Sequence, residues 1–156
     1  RPVQPELQVV SPIRFYGEFK LAGETKHNDA VDPYTFAEVM DIDLREGNVV
    51  DFLPGTMLVS DKVAEDKGWQ IGQRVEMTFP RTGAQLMEIV GVYHDDALFG
   101  NGYIITLDDY SENAGDDLHY LVLAKRAPGV SDDAVRAAVD PILAGYPSVT
   151  LQDQTE

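Results

Sequence analysis

Residues 74–93 read RVEMTFPRTGAQLMEIVGVY, and their reading decides the fold class. Val75, Met77 and Phe79 alternate with polar neighbours, the period of a half-buried strand. Pro80-Arg81-Thr82-Gly83 is a hairpin loop, and Leu86 to Tyr93 is the returning strand. An antiparallel hairpin is therefore expected here. Working upstream, Trp69, Ile71 and Gly72 form a connection. Ser60-Asp61 starts a helix that ends at Gly68, placed like a C-terminal cap, and Met57 to Val59 is a short apolar strand before it.

Further toward the N-terminus, Glu46-Gly47-Asn48 and Leu53-Pro54-Gly55 bracket a loop. Met40, Ile42 and Leu44 alternate as a strand, and Asp32-Pro33 predicts a short helix through Val39. Thr25 to Val31 is a weaker strand candidate beyond the Gly23 turn. Ile13, Phe15, Phe19 and Leu21 alternate with polar residues as another strand, and residues 1–12, with Pro2, Pro5 and Pro12, read as an extended lead-in.

Downstream, His94 to Gly102 is a polar loop and Tyr103 to Thr106 a strand. Thr106 and Asp109 have capping-box spacing, so a helix is expected from Leu107 toward Asn113. Leu118 to Ala124 and Ser148 to Leu151 read as strands. Between them Ser131 caps the longest helix, whose Val135, Ala138, Val139, Ile142 and Leu143 form one apolar stripe with Pro141 off it. Strands and short helices in mixed order define an α+β fold with a mixed or antiparallel sheet. The expected organisation is a lead-in at 1–12, one domain over 13–153, in which two small lobes can share the chain, and a tail at 154–156.

Composition bounds the partners. Twelve Lys+Arg against 27 Asp+Glu leave the 156-residue chain at −15, with a pI near 4.3. Nucleic acid and anionic membrane surfaces are polyanions and are excluded as natural partners of such a charge. With 44% hydrophobic residues the chain can build a core. Cysteine is absent, which removes disulfides, thiolate nucleophiles and Cys-ligated metals. The longest uncharged stretch, Pro141 to Gln152, holds two prolines and is shorter than the roughly 20 residues a spanning helix needs. The chain opens on Arg1 with no Met and no apolar leader, so it is expected to be a fragment or a processed product.

Catalytic signatures are missing. There is no G-x-x-x-x-G-K-[ST] or G-x-G-x-x-G phosphate loop, no G-x-S-x-G elbow and no H-E-x-x-H pair. Gly100-Asn101-Gly102 precedes a strand, the wrong context for a helix-mouth phosphate site. His94-Asp95-Asp96 has the donor types of a divalent cation site, against the plainer reading of a strand that ends in a solvated acidic loop. His119 after Asp116-Asp117 poses the same choice. Four Asp-Asp pairs occur, and those at 108–109 and 132–133 lie in first helical turns, where carboxylates face the positive end of the helix dipole. Leu98-Phe99 in the polar loop is either an exposed contact site or folds back onto the sheet, and Trp69 reads as core.

One stretch carries a resemblance. Glu46-Gly47-Asn48, then Met57-Leu58-Val59-Ser60-Asp61-Lys62-Val63-Ala64, Gly68-Trp69-Gln70-Ile71-Gly72-Gln73-Arg74-Val75 and Met87-Glu88-Ile89-Val90-Gly91-Val92-Tyr93 stand in the order seen in MacB/FtsX-like ABC-transporter permeases. The chain resembles their extracytoplasmic, MacB-like core domain. Tyr103 to Tyr110 and Leu118 to Asp153 resemble the variant in large FtsX-like permeases of Gram-positive bacteria.

The resemblance implies a non-enzymatic domain outside the cell membrane, held between transmembrane helices of the same permease. The ATPase is then a separate cytoplasmic partner. The domain couples its cycle to an extracytoplasmic substrate (lipoprotein, peptide or drug) or to a protein partner. No catalytic residue, cofactor site or metal site is expected, and Leu98 and Phe99 are the candidate interaction residues. The chain is short for the two-lobed form of the family. Two other readings stay open: a surface metal-dependent hydrolase using His94, Asp95 and His119, and a free-standing ligand-binding module with an apolar pocket.

Overall fold

The computed structural model describes residues 7–39, 42–95, 99–114, 120–126 and 128–144. Its frame is an eight-stranded mixed sheet: β1 (Leu7–Leu21), β2 (Glu24–Val31), β3 (Leu44–Gly47), β4 (Thr56–Ser60), β5 (Arg74–Phe79), β6 (Gly83–Tyr93), β7 (Tyr103–Thr106) and β8 (Tyr120–Arg126). Among the described residues four α-helices accompany it, α1 (Phe36–Val39), α2 (Asp61–Lys67), α3 (Leu107–Asn113) and α4 (Asp132–Leu143), with a 3-10 turn at Val49–Asp51. The fold is α+β, as the order of elements predicts.

The sheet closes on itself. From β1 the hydrogen-bonded neighbours run through β2, β7, β4, β6 and β5, and return to β1 where Lys20 faces Thr78. Two long strands make this possible by serving two partners along one edge. β1 takes β8 along Leu7–Arg14 and β5 at Lys20, while its other edge takes β2. β6 takes β5 along Gly83–Glu88 and β3 at Gly91–Tyr93, with β4 on its far edge. Within the ring, β2 with β7 and β4 with β6 are parallel pairs.

The expected hairpin forms, paired from Arg74 opposite Glu88 to Phe79 opposite Gly83, with the returning strand starting at Gly83 rather than Leu86. Val75, Met77 and Phe79 are buried while Arg74, Glu76 and Thr78 are exposed. α2 is capped as expected: the Ser60 hydroxyl accepts the Val63 N–H at 3.1 Å, and Gly68 takes the left-handed conformation at its end. α3 starts with the Thr106 hydroxyl accepting from Asp109 N–H at 3.1 Å. α4 starts with Ser131 accepting from Ala134 N–H at 3.2 Å, and it continues past Pro141 to Leu143.

Several boundaries differ. β1 begins at Leu7, inside the stretch read as lead-in. Pro12 misleads there, but it is paired on one edge only, to Val122 of β8, because β2 joins at Ile13, so its missing N–H leaves no second ladder broken. Glu46-Gly47, read as a turn, belongs to β3, with Gly47 opposite Gly91. α1 begins at Phe36, after a turn in which the Asp32 carboxylate accepts from Tyr34 N–H. Of the strand expected over Leu118 to Ala124, Tyr120–Ala124 lies in β8, while Leu118 and His119 lie outside the described residues. Met40 and the Ser148–Leu151 segment lie outside the described residues.

Two apolar clusters follow from the ring. One gathers Phe19, Met57, Val59, Met77, Ile89 and Ile105. The other gathers Ile13, Phe36, Phe52, Leu58, Tyr93 and Phe99 on the opposite face. Neighbours in sequence such as Met57 and Leu58 fall in different clusters, so β4 is apolar on both faces and carries no period-2 signal.

Candidate functional site

Two of the polar residues singled out in the sequence, His94 and Asp95, meet Asp61 where β6 ends beside the start of α2. His94 Nδ1 lies 2.9 Å from Asp61 Oδ2, and the Asp95 N–H donates to Asp61 Oδ1 at 3.1 Å. The Lys62 N–H donates to that same oxygen at 2.8 Å, and the His94 N–H donates to the Asp43 carbonyl at 2.8 Å. The bond from His94, followed by those from the Asp95 and Lys62 amides, holds the Asp61 carboxyl below the ordinary carboxylate range. The site is a junction: one carboxylate at a helix start gathers the strand end that follows β6.

This geometry does not make a metal centre of the expected residues. Nδ1 of His94 is committed to Asp61, and among the described residues no group of three or more His, Asp or Glu side chains is arranged to hold an ion. Asp96 and His119 lie outside the described residues. Ser60, one residue from Asp61, is spent as the α2 cap. Sequence reading missed Asp61 as the partner of His94, because 33 positions separate them and Asp61 carries only a helix-start signal.

The loop from β6 to β7 is fastened at its far end. Phe99 is fully buried, its ring 6.3 Å from that of Phe15, and its carbonyl accepts from the Tyr93 hydroxyl at 3.1 Å. Of the two alternatives for this pair, the structure places Phe99 folded back; Leu98 lies outside the described residues. The Asn101 amide donates to Asp29 Oδ1 at 3.0 Å, and the Gly102 carbonyl accepts from the Ser60 N–H at 3.0 Å. Trp69 packs against the first cluster, edge-on to Tyr103 at 6.2 Å.

Asp109 makes a second long-range tie. Its Oδ2 accepts from Gly55 N–H at 2.8 Å, across 54 positions, instead of completing a reciprocal capping box. Burial pushes its carboxyl pKa above the ordinary 3.8, outweighing the hydrogen bonds from Gly55 and Thr106. Between 3.8 and the raised value the folded chain binds more protons than the unfolded one, so this group lowers stability as pH rises through that window. Asp109→Asn removes the term. Its stability relative to the native chain is expected to improve from acid to neutral pH, read from urea midpoints across the range. A difference that stays flat with pH would contradict this assignment.

The exposed surface has its own features. Tyr34, Val50, Leu53, Ile71 and Leu86 are large apolar side chains left open to solvent. A shallow, open depression of about 230 Å³ is lined by Gly55, Thr56, Arg74, Leu86 and Glu88, with Arg74 Nε 3.8 Å from Glu88 Oε1. No helix among the described residues is long and apolar enough to cross a membrane.

These features sit on a fold shared with a domain of a permease protein and with the periplasmic region of MacB. A domain assigned to a permease protein from Porphyromonas gingivalis superposes with a TM-score of 0.65 at 17% identity, covering 91% of this chain and 71% of that one. The periplasmic region of MacB from Actinobacillus actinomycetemcomitans gives 0.64 at 11% identity, covering 91% and 68%. No curated protein sequence matches the chain. The family model described as the MacB-like periplasmic core domain matches residues 2–142, and the chain belongs to that family.

Proposed function

We propose that this domain works on the extracytoplasmic side of the cell membrane as the non-enzymatic outer part of an ABC-transporter permease. It couples movement of the permease's transmembrane helices, driven by a separate cytoplasmic ATPase, to an extracytoplasmic substrate or protein. The observation that carries the reading is the family match over residues 2–142. The architecture supports it. Leu7 pairs with Arg126, so the first strand and the last described strand enter and leave at one end of the sheet, as a domain inserted between two helices requires. Along Leu7–Pro12, β1 is paired to β8 alone, which makes this ribbon the route by which a displacement reaches the closed ring.

The absence of cysteine supplies the test. In a parent permease from which any cysteine outside this domain has been replaced, Leu53→Cys places one thiol on an exposed position. In intact cells a membrane-impermeant maleimide is expected to label it. With a fluorophore there and acceptor lipids in the bilayer, trapping the ATPase with nucleotide is expected to change the energy transfer, and adding nucleotide to an ATPase variant unable to bind it is not. Failure to label from outside would refute the placement. Labelling with identical transfer in both nucleotide states would refute the coupling.

A further inference from the structure

We propose that Asn101-Gly102 is a deamidation site, and that its conversion irreversibly breaks the tie between Asn101 and Asp29 of β2. Packing constrains both residues of this pair. Gly102 has a φ of +88°, and a Cβ there would lie 2.6 Å from Val63 Cγ2 and 3.3 Å from Ser60 Oγ, so glycine is required. Asp cannot stand in for Asn101, because Asp29, fully buried, accepts a hydrogen bond from the Asn101 amide at 3.0 Å, which an ionised carboxylate cannot donate. The fold thus holds glycine after Asn101, and in the Asn-Gly dipeptide nothing beyond hydrogen shields the backbone nitrogen. The other three asparagines precede Asp29, Val49 and Ala114, each with a side chain in the way.

The chemistry needs only water. The Gly102 backbone nitrogen forms a bond to Asn101 Cγ, loses its proton, and the side-chain nitrogen leaves as ammonia, closing a succinimide. Water then adds to either imide carbonyl and opens the ring to aspartate or isoaspartate. In the folded chain the Gly102 N–H donates to the Phe99 carbonyl at 3.3 Å while the Asn101 amide is held on Asp29, so the reaction waits for these two bonds to break. Afterwards their re-formation is opposed. A new carboxylate would sit where the amide donor was, against a buried carboxylate. Isoaspartate also adds a methylene to the backbone beside the carbonyl that accepts from Ser60.

The test is ageing of the full chain in mildly alkaline buffer, followed by peptide mapping. Asn101 is expected to convert before Asn28, Asn48 and Asn113, and more slowly in the folded chain than in urea. The converted fraction, separated by its extra negative charge, is expected to melt about 5 °C lower. Asn101→Asp should reproduce that loss at neutral pH and recover part of it in acid, where one carboxyl is protonated; Asn101→Ser, without the charge, should show no such recovery. Should Asn101→Asp fail to fold, the converted fraction carries the comparison. Earlier conversion at another asparagine, equal rates folded and unfolded, or an unchanged melting temperature in the converted fraction would overturn the proposal.

Discussion

Gly47→Ala is expected to cost about 4 kcal/mol or more, near the limit for a single substitution. Gly47 sits opposite Gly91 where β3 joins β6, with a φ of +88°, and a Cβ would fall 2.0 Å from the Val90 carbonyl oxygen. Two costs combine: a backbone conformation that alanine resists, and an overlap with backbone that has no rotamer to escape through. Gly23→Ala isolates the first. Its φ is +84°, but nothing lies within 4 Å of the added carbon, so about 1 kcal/mol is expected. Gly91→Ala would meet Leu58 Cδ2 at 2.6 Å and Leu44 Cδ1 at 3.0 Å, ends of flexible side chains, and should fall between the two. Urea midpoints for the three variants give the order. Gly47→Ala no worse than Gly23→Ala would show that the close crossing of β3 and β6 is not what holds glycine there.

That crossing also explains what was legible in the sequence. The hairpin could be read because its register is set locally, by the three-residue loop Pro80–Thr82 between two apolar runs. The starts of α2, α3 and α4 could be read because Ser60, Thr106 and Ser131 act within three residues. Ring closure could not. It depends on Lys20 meeting Thr78 and on β2 lying parallel to β7, pairings that no local signal encodes. Gly47 was seen as a turn because positive φ and chain reversal share one residue preference; only the partner strand shows that its role is close approach. The polar junction was half legible. His94 and Asp95 stood out by type, while Asp61 looked like any acidic residue opening a helix.

Phe99→Ala is expected to destabilise the domain by about 3–5 kcal/mol. The residue follows a stretch of polar loop, where an apolar pair invites the reading of an exposed contact. Its burial is instead complete, in the cluster with Leu58, Val90, Tyr93 and Ile104. Truncation leaves a ring-sized void beside Phe15 and loosens the bond from the Tyr93 hydroxyl to the Phe99 carbonyl, so lost transfer and cavity terms add. A fall in melting temperature of roughly 10 °C is expected for a chain of this size. Leu86→Ala is the counterpart: Leu86 is 62% exposed and its loss should change stability by no more than about 0.5 kcal/mol. If instead Phe99→Ala melted with the native chain, Phe99 would not be anchoring the loop, and its role as a surface contact would have to be reopened. If it fell as expected, any interaction made by this loop would use residues other than Phe99.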